Sequence, residues 1–297
     1  MDAGGPAGPW THHFATVAGV RLHYVRQGAG SPVLLLHGWP GFWYEWAPVI
    51  PLLAARHDVI VPDLRGFAYS DKPDLPPEEG YARDVVAKEV AALVTGLGVS
   101  RIDVVAHDIG ATVAQPLARL FPDLVRRLVL LDPPYPGIGR RWREPGHVRE
   151  IWYQVFHTLP WAHDLVGVSR DAIAIYLRHF LTHWSGRKEW VTDAELRHWV
   201  DAYAQPGALR GGFAYYKAID RTRVAVAEMP ASAFTVSQPT LVLWGEADAI
   251  LPAAWADRLP EYFPALTLER VPGVGHFMMR EAPAFLAERG LAFFAGA

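Results

Sequence analysis

Three residues far apart in the chain have the types and settings that covalent hydrolysis needs: Asp108, Asp248 and His276. Asp108 lies in Arg101–Gly110, RIDVVAHDIG, where a largely apolar run, Ile102 to Ala106, turns into the amphipathic pattern ATVAQPLARLF. Strand, sharp turn and helix in that order present the turn residue as a nucleophile. Small residues two positions to either side, Ala106 and Gly110, suit the turn, because a bulky side chain would strike neighbouring backbone. A carboxylate is ionised well below pH 7. Asp108 can therefore attack a saturated carbon without a base to activate it, giving an alkyl ester. Taken alone, an Asp after a buried strand is more simply a helix N-cap, so the remaining residues decide.

His276, in the glycine-rich VPGVGHF, follows the last apolar strand. Its imidazole can take a proton from the water that attacks the ester carbonyl. Asp248, in WGEADAI, would orient that ring and stabilise its cation. Asp132 also ends a strand, in LDPPY, and stays open as an alternative acid, although a cap in a proline turn explains it equally. The tetrahedral intermediate needs two N–H donors. Ile109, directly after Asp108, supplies one, and Trp39 in HGWPG the other. HGWPG is also an ordinary tight turn, and both roles can hold because the donors are backbone.

These residues need a frame that gathers them. Residues 13–27 alternate apolar and polar about Gly19, as an antiparallel hairpin does. Val33–Leu36, Asp58–Pro62, the strand before Asp108, Arg127–Leu131, Thr240–Trp244 and Leu266–Val271 are short apolar strands of the kind buried on both sheet faces. Helices are expected over Tyr44–Ala55, despite Pro48 and Pro51, over Asp84–Leu97, after Asp108, from about Pro252 to Phe263, and from Pro283. Between about Tyr135 and Thr235 only helical patterns and turns occur. The class is α/β: a doubly wound, mostly parallel sheet with a helical lid inserted after the sixth strand. Residues 1–134 and 236–297 form the core domain and 135–235 the lid. Such sheets bind ligands at the carboxyl ends of their strands, where Asp108, Asp248 and His276 emerge.

Composition removes other classes. A net charge of −3 and a pI of about 6.5 leave no basic footprint for nucleic acid or an anionic membrane surface. The absence of cysteine excludes disulfides and thiolate metal sites. No apolar run approaches the roughly 20 residues that span a bilayer, and MDAGGPAGPW lacks a signal-peptide layout. The expectation is a cytoplasmic protein. One HxxxH spacing occurs, His179–His183, without the glutamate of HExxH, so no metal is expected.

HGWPGFWYEW, DLRGFAYSDKP, AHDIGA, WGEAD and GHF together resemble the α/β-hydrolase fold family, whose triad runs nucleophile, acid, base along the chain. With Asp at the elbow, they look most like its soluble epoxide hydrolase branch. Ala106 and Ala68 stand where the family usually has glycine. The resemblance implies hydrolysis of an epoxide to a vicinal diol, without a cofactor, through an ester on Asp108. It also implies lid tyrosines that donate to the epoxide oxygen. IWYQVFH points to Tyr153, with Gln154 beside it as a substrate contact, and GGFAYYKAI points to Tyr216. A phenol suits this work, because it is protonated at pH 7 and can donate to a developing alkoxide. Tyr176, Tyr203 and Tyr215 also lie in the lid, and His157 and His179 are reserve donors. The implied partners are a small apolar epoxide and water, and a homodimer stays open.

Two other readings compete. A dehalogenase would use the same Asp ester, but Ile109 replaces the tryptophan that usually follows the nucleophile, and Ile109 and Thr112 carry no charge to hold a substrate carboxylate. A non-catalytic binding protein on this fold would normally have lost a triad member, and all three positions hold competent residues.

Overall fold

The structure, a computed structural model, describes residues 5–296. Short β-branched and leucine runs form its strands, since such side chains pack well on a pleated surface. They are β1 (Thr11–Val17), β2 (Val20–Gln27), β3 (Ser31–Leu36), β4 (His57–Pro62), β5 (Ile102–His107), β6 (Val125–Leu131), β7 (Thr240–Gly245) and β8 (Leu266–Val271). They make one sheet in the order β1-β2-β4-β3-β5-β6-β7-β8. The β1–β2 and β2–β4 pairs are antiparallel and the others parallel. The expected hairpin closes at Ala18 and Gly19, both with positive φ. The central strands β3 and β5 are buried by helices on both sheet faces, as a parallel sheet requires.

The helices are α1 (Ile50–Ala54), α2 (Pro77–Gly80), α3 (Arg83–Gly96), α4 (Ile109–Leu120), α5 (Trp152–Phe156), α6 (Ala162–Val166), α7 (Arg170–His183), α8 (Asp193–Tyr203), α9 (Ala208–Glu228), α10 (Met278–Glu281) and α11 (Pro283–Ala295). Two expected helices differ. Tyr44–Ala55 divides into a 3-10 turn, Trp43–Trp46, and the single turn α1. Pro48 falls between them, where a missing N–H and a fixed ring interrupt the ladder. Pro252–Phe263 is a 3-10 stretch, Ala253–Glu261, with Pro260 inside. Between β6 and β7 the described residues form helices and turns and no strand. There α7 and α8 are capped by Ser169 and Thr192, whose hydroxyls accept N–H groups of the first turn.

Candidate active site

Asp108 follows β5 directly and precedes the first residue of α4. Its φ is +45°, a region L-residues rarely occupy and which costs on the order of 1–3 kcal/mol. Two glycines let the chain pass. A Cβ on Gly110 would lie 2.4 Å from the Leu36 carbonyl oxygen, and one on Gly38 would lie 2.5 Å from Cβ of Asp108. The turn after β3 therefore nests against the nucleophile. From it the Trp39 N–H donates to Asp108 Oδ2 at 3.0 Å. Ile109 opens α4, so its N–H has no acceptor within the helix. Of the two backbone donors expected from the sequence, Trp39 thus bonds the Asp108 carboxyl, and the Ile109 N–H lies next to it in the chain at the start of α4.

His276 emerges after β8 and is buried. Its Nδ1 bonds Asp248 Oδ2 at 2.7 Å. Asp248 is held by the N–H groups of Ile250 and Leu251, which donate to Oδ1 at 2.8 and 3.0 Å. Burial alone would lower the imidazole pKa. The Asp248 carboxylate, helped by Asp108 and Asp132, outweighs this and raises it to about 9. Nε2 is buried with no partner among the described residues, leaving it free for a water or a reacting group.

Asp132 lies close enough to feel this pair but does not bond His276. Its Oδ1 accepts the Gly245 N–H at 2.7 Å, and its φ is +41°. Burial first, and then the Asp248 charge, push its carboxyl well above the usual range. The geometry therefore pairs the imidazole with Asp248, while Asp132 braces the end of β7 through the Gly245 N–H.

Tyr153 on α5 and Tyr216 on α9 pack edge to face at the cavity wall, their rings 5.4 Å apart. The Trp39 indole stacks on Tyr153 at 5.3 Å. Burial, together with the Asp108 charge, raises both phenols, so both stay protonated at neutral pH. A cavity of about 470 Å³ has Asp108, Ile109, Thr112, Tyr153, Gln154 and Tyr216 in its wall. Gln154 is committed to its neighbours as well: Nε2 donates to the Tyr153 hydroxyl at 3.1 Å, and Oε1 accepts from Arg223 at 2.5 Å.

Neither reserve donor is in the cavity wall, although His157 packs 4.6 Å from the Tyr216 ring and 5.4 Å from the Tyr153 ring. His157 stacks on Phe213 with ring centroids 3.7 Å apart and bonds the Tyr176 hydroxyl at 2.7 Å. His179 lines a separate surface groove with Asp171 and Ile175. The Tyr215 hydroxyl is spent on the Arg65 carbonyl.

Three supports escaped sequence reasoning. Buried Glu45 accepts the Gly38 N–H at 3.3 Å and bonds His107 Nδ1 at 3.3 Å, fixing the turn that carries Trp39. Glu281 accepts N–H groups from Gly275 and Phe277, on either side of His276, and from Gly186 and Arg187 after α7. It thereby ties the imidazole loop to the helical segment. Arg223 lies seven residues after Tyr216 on α9, two turns along one face, and that spacing was the available signal.

A strained Asp between a strand and a helix, with a carboxylate-bound histidine after the last strand of this sheet, defines a class. The chain belongs to the alpha/beta hydrolase fold family, whose model matches residues 31–283. Within it, the chain is similar to the soluble epoxide hydrolase of Corynebacterium sp. (strain C12), with 34% identity over 294 residues, 96% of this chain and 97% of the relative. Among solved structures it is similar to an epoxide hydrolase, CorEH without ligand, at a TM-score of 0.83 and 32% identity, covering 96% of this chain and 99% of that one. An epoxide hydrolase from an endophytic Streptomyces superposes at a TM-score of 0.84 with 25% identity, covering 98% of this chain and 96% of the other.

Proposed function

We propose that this chain is an epoxide hydrolase that converts an epoxide and water to a vicinal diol through an ester on Asp108, with residues 135–235 as its lid. One observation carries the reading: a carboxylate and two protonated phenols line a single cavity. An oxirane between them would meet a nucleophile at carbon and proton donors at oxygen. In the first step an Asp108 oxygen bonds the carbon, the C–O bond breaks, and its electron pair stays on oxygen, which takes a proton from a tyrosine. In the second step water attacks the ester carbonyl as His276 Nε2 takes its proton. The Trp39 and Ile109 N–H groups stabilise the oxyanion. Collapse expels the diol oxygen, which receives the proton from His276. The proton left on the released carboxyl returns to the phenolate, so atoms and charge balance.

The charges support the timing. With Asp108 ionised, the His276 pKa stands near 9 and the ring is a cation at neutral pH. Esterification removes the Asp108 charge and part of what sustains that cation. The larger Asp248 contribution stays, so the imidazole acts as base after passing its proton to solvent, and takes one back from solvent when Asp108 is freed. Ile250, Leu251 and Ile109 in the wall suit an apolar substrate body. The test is turnover of styrene oxide by the wild-type enzyme and its loss in Asp108→Asn. Turnover of a haloalkane instead would favour dehalogenation.

A further inference from the structure

The two tyrosines differ in what stands behind them. Arg223, partly buried in the cavity wall, makes no ion pair with any described acid. The nearby Asp220 is engaged with Arg143 at 3.7 Å. Its guanidinium instead lies 5.2 Å from the Trp142 ring and donates to Gln154 Oε1. A guanidinium can only donate, so this bond fixes which way the Gln154 amide points. The oxygen faces Arg223, and the NH2 must face Tyr153, where Nε2 donates to the hydroxyl oxygen. Tyr153 thus already receives a hydrogen bond on its oxygen, and its own proton is left to give. Among the influences on Tyr153, Gln154, then Tyr216 and then the Arg223 charge make the phenol more acidic, against burial and the Asp108 charge. The principal influences on Tyr216, by contrast, all act to make it less acidic.

The geometry points to a relay, Arg223 to Gln154 to Tyr153, that makes Tyr153 the proton donor and Arg223 a positioning residue acting through Gln154. This inference rests on the epoxide reading above. As the epoxide C–O bond breaks, its oxygen takes the Tyr153 proton, and the phenolate left behind is met by the Gln154 N–H and the Arg223 charge. Tyr216 has no such support. Its part is to hold the epoxide oxygen against Tyr153.

The test uses the full chain carrying His276→Gln, in which the ester accumulates, and follows adduct formation with styrene oxide by rapid quench and intact mass. Arg223→Met and Gln154→Leu should each slow adduct formation on the order of tenfold, the size of one lost charge-assisted contact, with epoxide affinity unchanged. The two substitutions together should slow it no more than either alone, because the groups act in series. With Tyr153→Phe present, Arg223→Met should have no further effect, whereas with Tyr216→Phe it should keep its full effect. Arg223→Lys, which keeps a charged donor, should recover most of the rate and serves if Arg223→Met fails to fold. Three results would overturn the relay: additive losses, an unchanged loss in Tyr153→Phe, or a defect confined to the affinity of a carboxylate-bearing epoxide such as 3-phenylglycidate. The last would make Arg223 a substrate-anion site. No adduct in the parent His276→Gln chain would instead contradict the epoxide reading itself, and the relay with it.

Discussion

Two carboxylates compete for one imidazole, and hydrogen bonding separates them. Asp248 bonds His276 and is held by two N–H groups, whereas Asp132 bonds only backbone and burial pushes its carboxyl well above the usual range. Asp248→Asn should therefore lower kcat by about 10²- to 10⁴-fold, through the wrong ring orientation and a lost counter-charge. Asp132→Asn keeps an acceptor for Gly245 and leaves the Asp248–His276 bond intact, and should stay within a few fold. Steady-state kinetics on styrene oxide decides, and equal losses would reopen the choice of acid. The tyrosines divide in the same way. Tyr153→Phe should cost about 10²-fold or more in the alkylation rate, the usual range for a lost general acid, and Tyr216→Phe less. Single-turnover rates measure both. Asp108, His276 and Asp248 were legible because each sits in a short local pattern after an apolar strand. Arg223 and Glu281 were not, because their work depends on partners 69 and 94 or more positions away.

The elbow and the loops around it are where strain and close packing meet. Gly110 faces the carbonyls of Leu36 and His37 at distances no Cβ tolerates. Gly110→Ala should force β3 and α4 apart, costing on the order of 3 kcal/mol and abolishing turnover, since the same shift displaces the Trp39 donor. Thermal unfolding with activity measured on the same samples would show both losses, and an unchanged unfolding midpoint would contradict the packing argument. Strands were the most legible elements, because a continuous apolar run of four to seven residues has few other uses. Helices were less so. The Tyr44–Ala55 pattern looked helical, yet Pro48 divides it while Pro51 fits the first turn of α1, and the buried Trp43, Trp46 and Val49 keep their place in the core without a continuous helix. Apolar spacing reports which side chains are buried, and a 3-10 turn can bury the same ones.

For the whole molecule, the charges of the site feed back on stability. The His276 pKa is raised from 6.5 to about 9, so the folded state binds this proton more tightly than the unfolded chain does. That contribution is fully present below pH 6.5 and is lost as pH rises towards 9, by at most about 3 kcal/mol. The unfolding midpoint should fall across this window, and His276→Gln should flatten the decline; an equally steep decline in that variant would place its origin elsewhere. The topology was legible because strand–helix alternation, interrupted once by a helical insertion, leaves few arrangements open. The cavity was not, since its wall joins residues from Glu78 to Leu251 and its shape follows from how the inserted helices pack. No described helix is long and apolar enough to cross a membrane.

The central claim is that Asp108 carries the substrate as an ester. The most direct measurement is the intact mass of His276→Gln after incubation with styrene oxide, and in parallel with a haloalkane. The account predicts a gain equal to the whole epoxide, absent when Asp108→Asn is added. A gain equal to the alkyl group without its halide, seen only with the haloalkane, would contradict it in favour of dehalogenation. No adduct with either, while the wild-type enzyme still opens the epoxide, would mean that Asp108 is not the nucleophile.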